Sequence, residues 1–229
     1  MATGPEYFKS AFSIDNVIFG FDEGNLKILL IKRGEAPFTD YWALPGDLVY
    51  PDESIDDASQ RILTELTGLE NVYLEQVRTF GDLGRHPVGR VITIAYYSLL
   101  KSNRFSLKAA SFAQEVKWHN IHSVGQLAFD HNNILDVCFD SFKRKIRTRP
   151  VGFELLPAKF TLTELQQLYE AILEVELDKR NFRKKILSMN LLRDLEEFQE
   201  GVAHRPAKLY EFDATKYQEL LADGFSYAI

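Results

Sequence analysis

Apolar residues gather first in SIDNVIFGF (13–21) and LKILLIKR (26–33), two runs that read as strands, and the turn-forming DEGN between them predicts a hairpin. The spacing then changes to three and four. Ile55, Ala58, Ile62 and Leu66 make one apolar stripe on a helix over 55–66, with Ser54 placed as its N-cap and Gly68 just past its end. Further strands are predicted at VYLEQVRTF (72–80), VITIAYYSLL (91–100) and EVKWHNI (115–121), and helices at SVGQLA (123–128) and over 132–146. This order predicts an α/β (α+β) unit with helices flanking a mixed sheet.

The stretch KRKIRTRP (143–150) combines five basic residues with a proline and ends the last of those helices. It reads either as a solvated helix end and linker or as a basic patch near DNA. From Phe160 onward the pattern is that of two short helices, a hairpin and a last helix. Thr161 and Glu164 have capping-box spacing, and Leu162, Leu165, Leu168, Ile172 and Leu173 follow at helical intervals. After a short connection Asp178 can cap a second helix to about Met189, the spacing of a helix-turn-helix. Phe182, Ile186 and Met189 face its core; Arg180, Arg183 and Lys184 point away, with Lys179 and Asn181 at the borders. In LLRDLEEFQEGVAHRPAKLYEFD two strand-like runs flank a loop holding Gly201, His204, Arg205 and Pro206, which predicts a wing directly after that helix. Two domains are therefore expected, 1–150 and 151–229, the second a small winged helix-turn-helix.

Composition narrows the function classes. With 45% hydrophobic and 26% charged residues among 229, the chain has the make-up of a globular protein rather than a disordered one. It holds no run of about 18 apolar residues that would span a membrane. MATGPEYFKSAF lacks the basic start and apolar run of a signal peptide, so a cytoplasmic protein is expected. The one cysteine, Cys138, excludes an internal disulfide and a cysteine-based zinc cluster, and neither metal nor cofactor is expected. The net charge of -6 does not suit a protein that coats nucleic acid, and residues 151–229 carry 10 Lys and Arg against 14 Asp and Glu. DNA binding must then be local, and two modest half-site contacts in a dimer could compensate for the acidic balance, so a homodimer is expected.

WALPGDLVYPDESIDDASQRILTELTGL (42–69) resembles the Nudix box, G-x5-E-x7-R-E-U-x-E-E-x-G-U with U a bulky apolar residue. In that register Asp47 stands on the first glycine, Glu53 on the first glutamate, Arg61 on the arginine, Glu65 on the first of the paired glutamates and Gly68 on the last glycine. Ile62 and Leu66 stand where the other two helix glutamates belong. The resemblance implies that those carboxylates would hold Mg2+ against a pyrophosphate, and neither Ile nor Leu offers the oxygen that Mg2+ needs. A catalytically inactive Nudix domain is expected, its pocket floor lined by Ile62 and Leu66.

The phrases LAFDHNNIL, LTGLENVYLEQVRTFGD, RVITIAYYSLL and GFELLPAKFTLTELQQLYEAI resemble Nudix-related transcriptional regulators, most of all a branch linked to sugar catabolism with arabinose as one effector. That resemblance implies a regulator whose Nudix domain senses a sugar, a sugar phosphate or an ADP-ribose-like nucleotide and controls its grip on operator DNA. The candidate effector-binding residues are Arg33, Asp47, Glu53, Arg61, Glu65, Arg78, Arg90, Asp130 and His131. Arg85 and Arg90, in the glycine-rich loop 81–90, could meet a phosphate. The candidate DNA-binding residues are Lys179, Arg180, Asn181, Arg183 and Lys184 in the major groove, with His204 and Arg205 of the wing reaching phosphates or a minor groove. The rival reading is an active Nudix hydrolase of ADP-ribose-like diphosphates with a C-terminal dimerisation domain.

Overall fold

The computed structural model describes residues 10–101, 107–201 and 205–229. Two units divide it, one comprising residues up to Gly20 together with Lys27–Ser141, the other Phe21–Leu26 with Phe142–Ile229. The first unit carries all but the hairpin ends of strands β1 (Ala11–Asp22) and β2 (Asn25–Arg33), together with β3 (Trp42–Ala43), β4 (Gly46–Leu48), β5 (Glu75–Phe80), β6 (Val91–Leu100) and β7 (Ala113–Asn120). Helix α1 (Ile55–Thr67) lies between β4 and β5, and α2 (His131–Thr148) follows β7. The expected DEGN turn forms with Glu23 and Gly24 both at positive φ, 50° and 76°, the conformation that matches the twist of a tight hairpin.

The sheet is mixed, in the order β3-β2-β1-β6-β5, with β4 on β1 and β7 on β2. β6 runs parallel along one edge of β1 from Ala11 to Gly20, so β2 and β4 must share its other edge. β7 runs antiparallel along one edge of β2 from Lys27 to Arg33, so β1 and β3 share the other. β3 and β4 therefore occupy the place where β1 and β2 diverge. Asp15, Arg33 and Asp47 stand around that opening.

Side chains alternate between the two faces of β1. Ile14 and Ile18 join apolar clusters with Ala58, Ile62, Leu63 and Leu66 of α1, and Asn16 Nδ2 donates to Ser59 O at 3.1 Å on the same helix. The opposite parity carries Asp15 and Phe19, and Phe19 meets Phe139 of α2 at 5.9 Å between ring centroids. Helices α1 and α2 thus cover opposite faces. Ile62 and Leu66 are 0% and 2% exposed, and burying each side chain contributes about 1.5–3 kcal/mol. These two residues do not floor a pocket, contrary to the expectation; they are packed into the core, because the stripe they continue is the one that seals α1 to the sheet.

Helix α1 begins and ends as its sequence predicts. Ser54 Oγ accepts from Asp57 N–H, and Gly68 at φ 74° donates to Thr64 O at 2.9 Å. The helix expected at SVGQLA is absent. A single 3-10 turn spans Ile121–Ser123, and Asn132 then takes Leu127 N–H on Oδ1 and donates Nδ2 to Gly125 O. The segment's backbone groups find partners without a helix.

The second unit contains α3 (Leu162–Leu173), α4 (Lys179–Ser188), β8 (Leu192–Phe198), β9 (Lys208–Phe212) and α5 (Ala214–Ala222). The Thr161–Glu164 capping box is formed in both directions, and Asp178 Oδ1 accepts from Asn181 N–H at 2.8 Å to start α4. β8 and β9 pair antiparallel as a wing, and Phe160 bridges to Tyr210 of that hairpin. Phe153 stacks on Phe212 at 4.4 Å, Tyr169 packs on Phe182, and the buried hydroxyls of Tyr169 and Tyr227 hydrogen-bond. This is the winged helix that the helix spacing predicts. Among the described residues no helix is long and apolar enough to cross a membrane.

Candidate functional site

A cavity of about 450 Å3 opens in the first unit at the place where β1 and β2 diverge. Its walls come from β1, β2, β4, the loop 81–90 that joins β5 to β6, and the start of α2. Arg33, at the end of β2, donates Nε to Pro37 O at 2.9 Å, and its guanidinium carbon lies 5.0 Å from the ring centroids of both Phe112 and Phe129. Burial lowers its basicity, yet it remains a cation, with Asp47, Asp15 and Glu35 favouring the charge. Arg85 is held by Asp130 through two bonds, Nε to Oδ2 at 2.9 Å and Nη2 to Oδ1 at 2.6 Å, and also reaches Thr93. Arg90 donates to the carbonyls of Gly81 and Asp82, which fixes the loop at the mouth.

Aromatic surface accompanies these cations. His86 stacks on Phe129 with ring centroids 5.0 Å apart and planes at 13°. Burial, then Arg85 and Arg33, lower the His86 pKa below the usual imidazole value. Deeper in, His131 Nδ1 accepts Leu44 N–H at 2.9 Å, so the neutral ring carries its proton on Nε2, 3.5 Å from Asp15 Oδ1. Burial drives His131 down to about 3. Guanidinium groups beside flat rings suit a ligand with both an anionic and a planar part.

The Nudix-box carboxylates are committed elsewhere. Arg61 donates Nε and Nη2 to the two oxygens of Glu53 at 2.8 and 2.6 Å, Nη1 to Glu65 at 3.1 Å, and Nη2 also to Leu48 O at 2.9 Å. It lies over the Tyr50 ring at 3.8 Å. The clamp pulls Glu53 down to about 2 and raises Arg61. Magnesium chemistry would need oxygen donors at 62 and 66, and the structure has buried apolar side chains there. Glu53 and Glu65 already face a guanidinium. Among the described residues no group of three or more His, Cys, Asp or Glu is placed to hold a metal ion. The residues present do not fit Mg2+.

Of the residues chosen from sequence, Arg33, Asp47, Arg90 and His131 line the cavity, and Asp130 stands behind it by gripping Arg85. Glu53, Arg61 and Glu65 form their own clamp and do not line it. Arg78 sits exposed on β5 with its guanidinium carbon 5.7 Å from the Phe80 ring, also off the cavity. Asp15, His86, Phe112 and Phe129 were missed. Asp15 had one signal, a carboxylate inside an apolar run; the others come from three separate segments that only the fold unites.

In the second unit Lys179, Arg180, Asn181 and Lys184 are exposed on α4, as is Lys185 beside them. Arg183 is half-buried and donates to Thr163 Oγ1 at 3.0 Å, which ties it to α3. Arg205 is exposed at the wing, and His204 lies outside the described residues.

Residues 11–138 match the NUDIX domain family, and residues 152–212 match the NrtR DNA-binding winged helix domain. An ADPR responsive transcriptional repressor of Acinetobacter baylyi is 33% identical over 216 residues, covering 93% of this chain and 86% of its own. An ADP-ribose pyrophosphatase of Methanocaldococcus jannaschii is 34% identical over 129 residues, 56% of this chain and 73% of its own. Shewanella oneidensis NrtR, solved with a 27mer DNA, superposes at a TM-score of 0.75 with 27% identity, over 94% of this chain and 97% of that one. Its NUDIX domain, solved with ADP ribose, superposes at 0.56 with 29% identity, over 61% of this chain and 94% of that one. The expected tie to an arabinose-type branch finds no support in these relatives, three of which are described by ADP-ribose and none by a sugar. With likeness to repressors running through both units, the chain belongs to the NrtR-type Nudix transcriptional regulators.

Proposed function

We propose that this protein is a cytoplasmic, homodimeric transcriptional repressor that binds operator DNA through α4 and the wing, and whose Nudix cavity takes ADP-ribose as effector. The observation that carries the reading is the composition of the cavity wall. Arg33 and Arg90 offer positive charge to a diphosphate, and the Phe129–His86 stack and Phe112 offer flat faces to an adenine. A volume of about 450 Å3 falls in the range of pockets that hold small ligands. An unphosphorylated pentose would leave those arginines without an anion. The relatives that bind or respond to ADP-ribose support the same ligand. Isothermal titration with ADP-ribose and, separately, with arabinose tests it. Saturable binding of ADP-ribose alone is expected, and binding of arabinose alone would overturn the effector assignment.

The same chain has given up hydrolysis in this reading. Ile62 and Leu66 are sealed into the core and the surviving glutamates are held by Arg61, so the reading rests on residues present rather than on likeness. The rival is an active hydrolase, which the Methanocaldococcus jannaschii pyrophosphatase relative favours. Incubation of the purified chain with ADP-ribose and Mg2+ should release no AMP above the buffer rate. Release of AMP with saturation kinetics would establish the rival.

On the DNA side, Lys179, Arg180, Asn181 and Lys184 project from the start of a helix capped by Asp178, where side chains of a recognition helix reach base edges. Arg183 supports the helix from behind through Thr163. Replacing Arg180 and Lys184 together by Ala should abolish retention of a duplex selected by the chain from random sequence. Undiminished retention would remove α4 from the interface.

A further inference from the structure

The cavity wall holds one buried acid that neither the arginines nor the aromatic rings engage directly. Asp15 lines the cavity yet is only 5% exposed. The space around its carboxyl is fitted to it, since a Cβ on Gly46 would collide with Oδ1 and also stand 2.7 Å from Ile14 O. The polar contact the structure gives it is His131 Nε2, a single neutral N–H at 3.5 Å.

The charges that face it come from four elements. Arg85 and His86 reach it from the loop, Asp130 from the residue before α2 and the Cys138 thiol from α2 itself, Arg33 from β2, and Asp47 of β4 lines the same cavity. Arg85 is spent on Asp130, and Arg33 is held by Pro37 O and two rings. Among the described residues no arginine or lysine is bonded to Asp15 to keep it ionised. An anion entering the cavity adds like charge beside a carboxyl that is almost wholly buried, where repulsion is little screened.

We propose that Asp15 is a ligand-binding residue of this cavity, acting as the neutral acid and donating a hydrogen bond to an oxygen of the bound anion, so that effector and proton enter together. The proton comes from solvent, and the neutral carboxyl both removes the repulsion and supplies a donor that a carboxylate lacks. Burial, offset by Arg85 and Arg33 and reinforced by Asp130, holds the free protein's Asp15 at about 7. Bound anion raises it further, so the affinity must rise as pH falls through that value. The inference rests on the ADP-ribose reading above.

The test is calorimetric titration of the full chain with ADP-ribose at about pH 6 and about pH 8, in two buffers that differ in ionisation enthalpy. The diphosphate of ADP-ribose keeps its charge across that range. The affinity should be about tenfold tighter at the lower pH, and at the higher pH the observed heat should change with buffer, reporting proton uptake. Asp15→Asn, which keeps a donor and cannot titrate, should bind with the same affinity at both pH values and take up no proton. Equal affinity of the wild-type chain at both pH values, with heats independent of buffer, would overturn the proposal without touching the effector assignment. A pH dependence that persists in Asp15→Asn would overturn it as well. Absence of ADP-ribose binding at either pH would remove the effector reading and this inference with it.

Discussion

Asp15 and His131 titrate in opposite senses in the same buried corner, and the free protein's stability should show both. Asp15 is raised from 3.8 to about 7 in the folded state, so between those values the native chain holds a proton that the unfolded chain releases. Its contribution to stability is therefore complete in acid and is lost as pH rises toward 7. His131 is lowered from 6.5 to about 3, so its contribution is complete above 6.5 and is lost as pH falls. Asp15→Asn should gain thermal stability relative to wild type at about pH 8 and lose that advantage at about pH 4; a constant difference across the range would contradict the burial argument. A second residue-scale expectation concerns the altered Nudix box. Ile62→Glu restores a carboxylate in name, yet the position is 0% exposed, so the change buries an unpaired charge and should cost about 3–5 kcal/mol in urea unfolding without creating Mg2+-dependent hydrolysis. The identity of positions 62 and 66 was legible in the sequence because the box register is fixed without gaps. Their location was not, because an apolar stripe states that a face is buried and leaves open whether it meets a ligand or a sheet.

At the scale of elements, what the sequence marks by local chemistry the structure keeps. Ser54, Thr161 and Asp178 each cap the helix they precede, and the basic helix and its wing follow in the expected order. The Asp178 cap invites a direct measurement. Asp178→Ala frees Asn181 N–H and should cost about 1 kcal/mol of stability, and it should weaken DNA retention because α4 frays at the end that carries Lys179, Arg180 and Asn181. SVGQLA was misread because Gly125 weakens a helix and Asn132, five residues beyond Leu127, supplies partners that no local pattern encodes. The cavity was only half legible for a related reason. Arg33 and Arg90 stand at strand ends, where candidates are sought, whereas Phe112, Phe129 and His86 converge across loops that are far apart in the chain. Helical spacing encodes only the i,i+4 part of the Arg61 clamp, to Glu65; its two shorter bonds go back eight residues to Glu53. Arg61→Ala should release the segment from Leu48 to Glu53 and destabilise the chain by about 1–3 kcal/mol while leaving ADP-ribose affinity within a fewfold of wild type, since Arg61 lies off the cavity.

For the whole molecule, charge sets the terms on which it meets DNA. A net charge of -6, with an acidic excess in residues 151–229 as well, leaves little non-specific attraction, so in the proposed dimer binding would depend on a small set of cations on α4 and the wing, used twice. Affinity for a selected duplex should fall steeply with salt, and Arg205→Ala should weaken binding uniformly across sequences and flatten that slope by about one. An effector that loosens the grip on DNA must itself be bound more weakly by the DNA complex. The fold of both units was readable from capping signals, strand runs and the box register; the identity of the effector was not, because sugar and nucleotide pockets draw on the same arginines and aromatics. The central claim is that ADP-ribose in the Nudix cavity governs operator binding, and fluorescence anisotropy of a duplex selected by the chain itself, at constant salt, tests it most directly. ADP-ribose at saturation should weaken binding by roughly 5- to 150-fold while arabinose leaves it unchanged; an affinity indifferent to ADP-ribose, or one that responds to arabinose instead, would contradict the account.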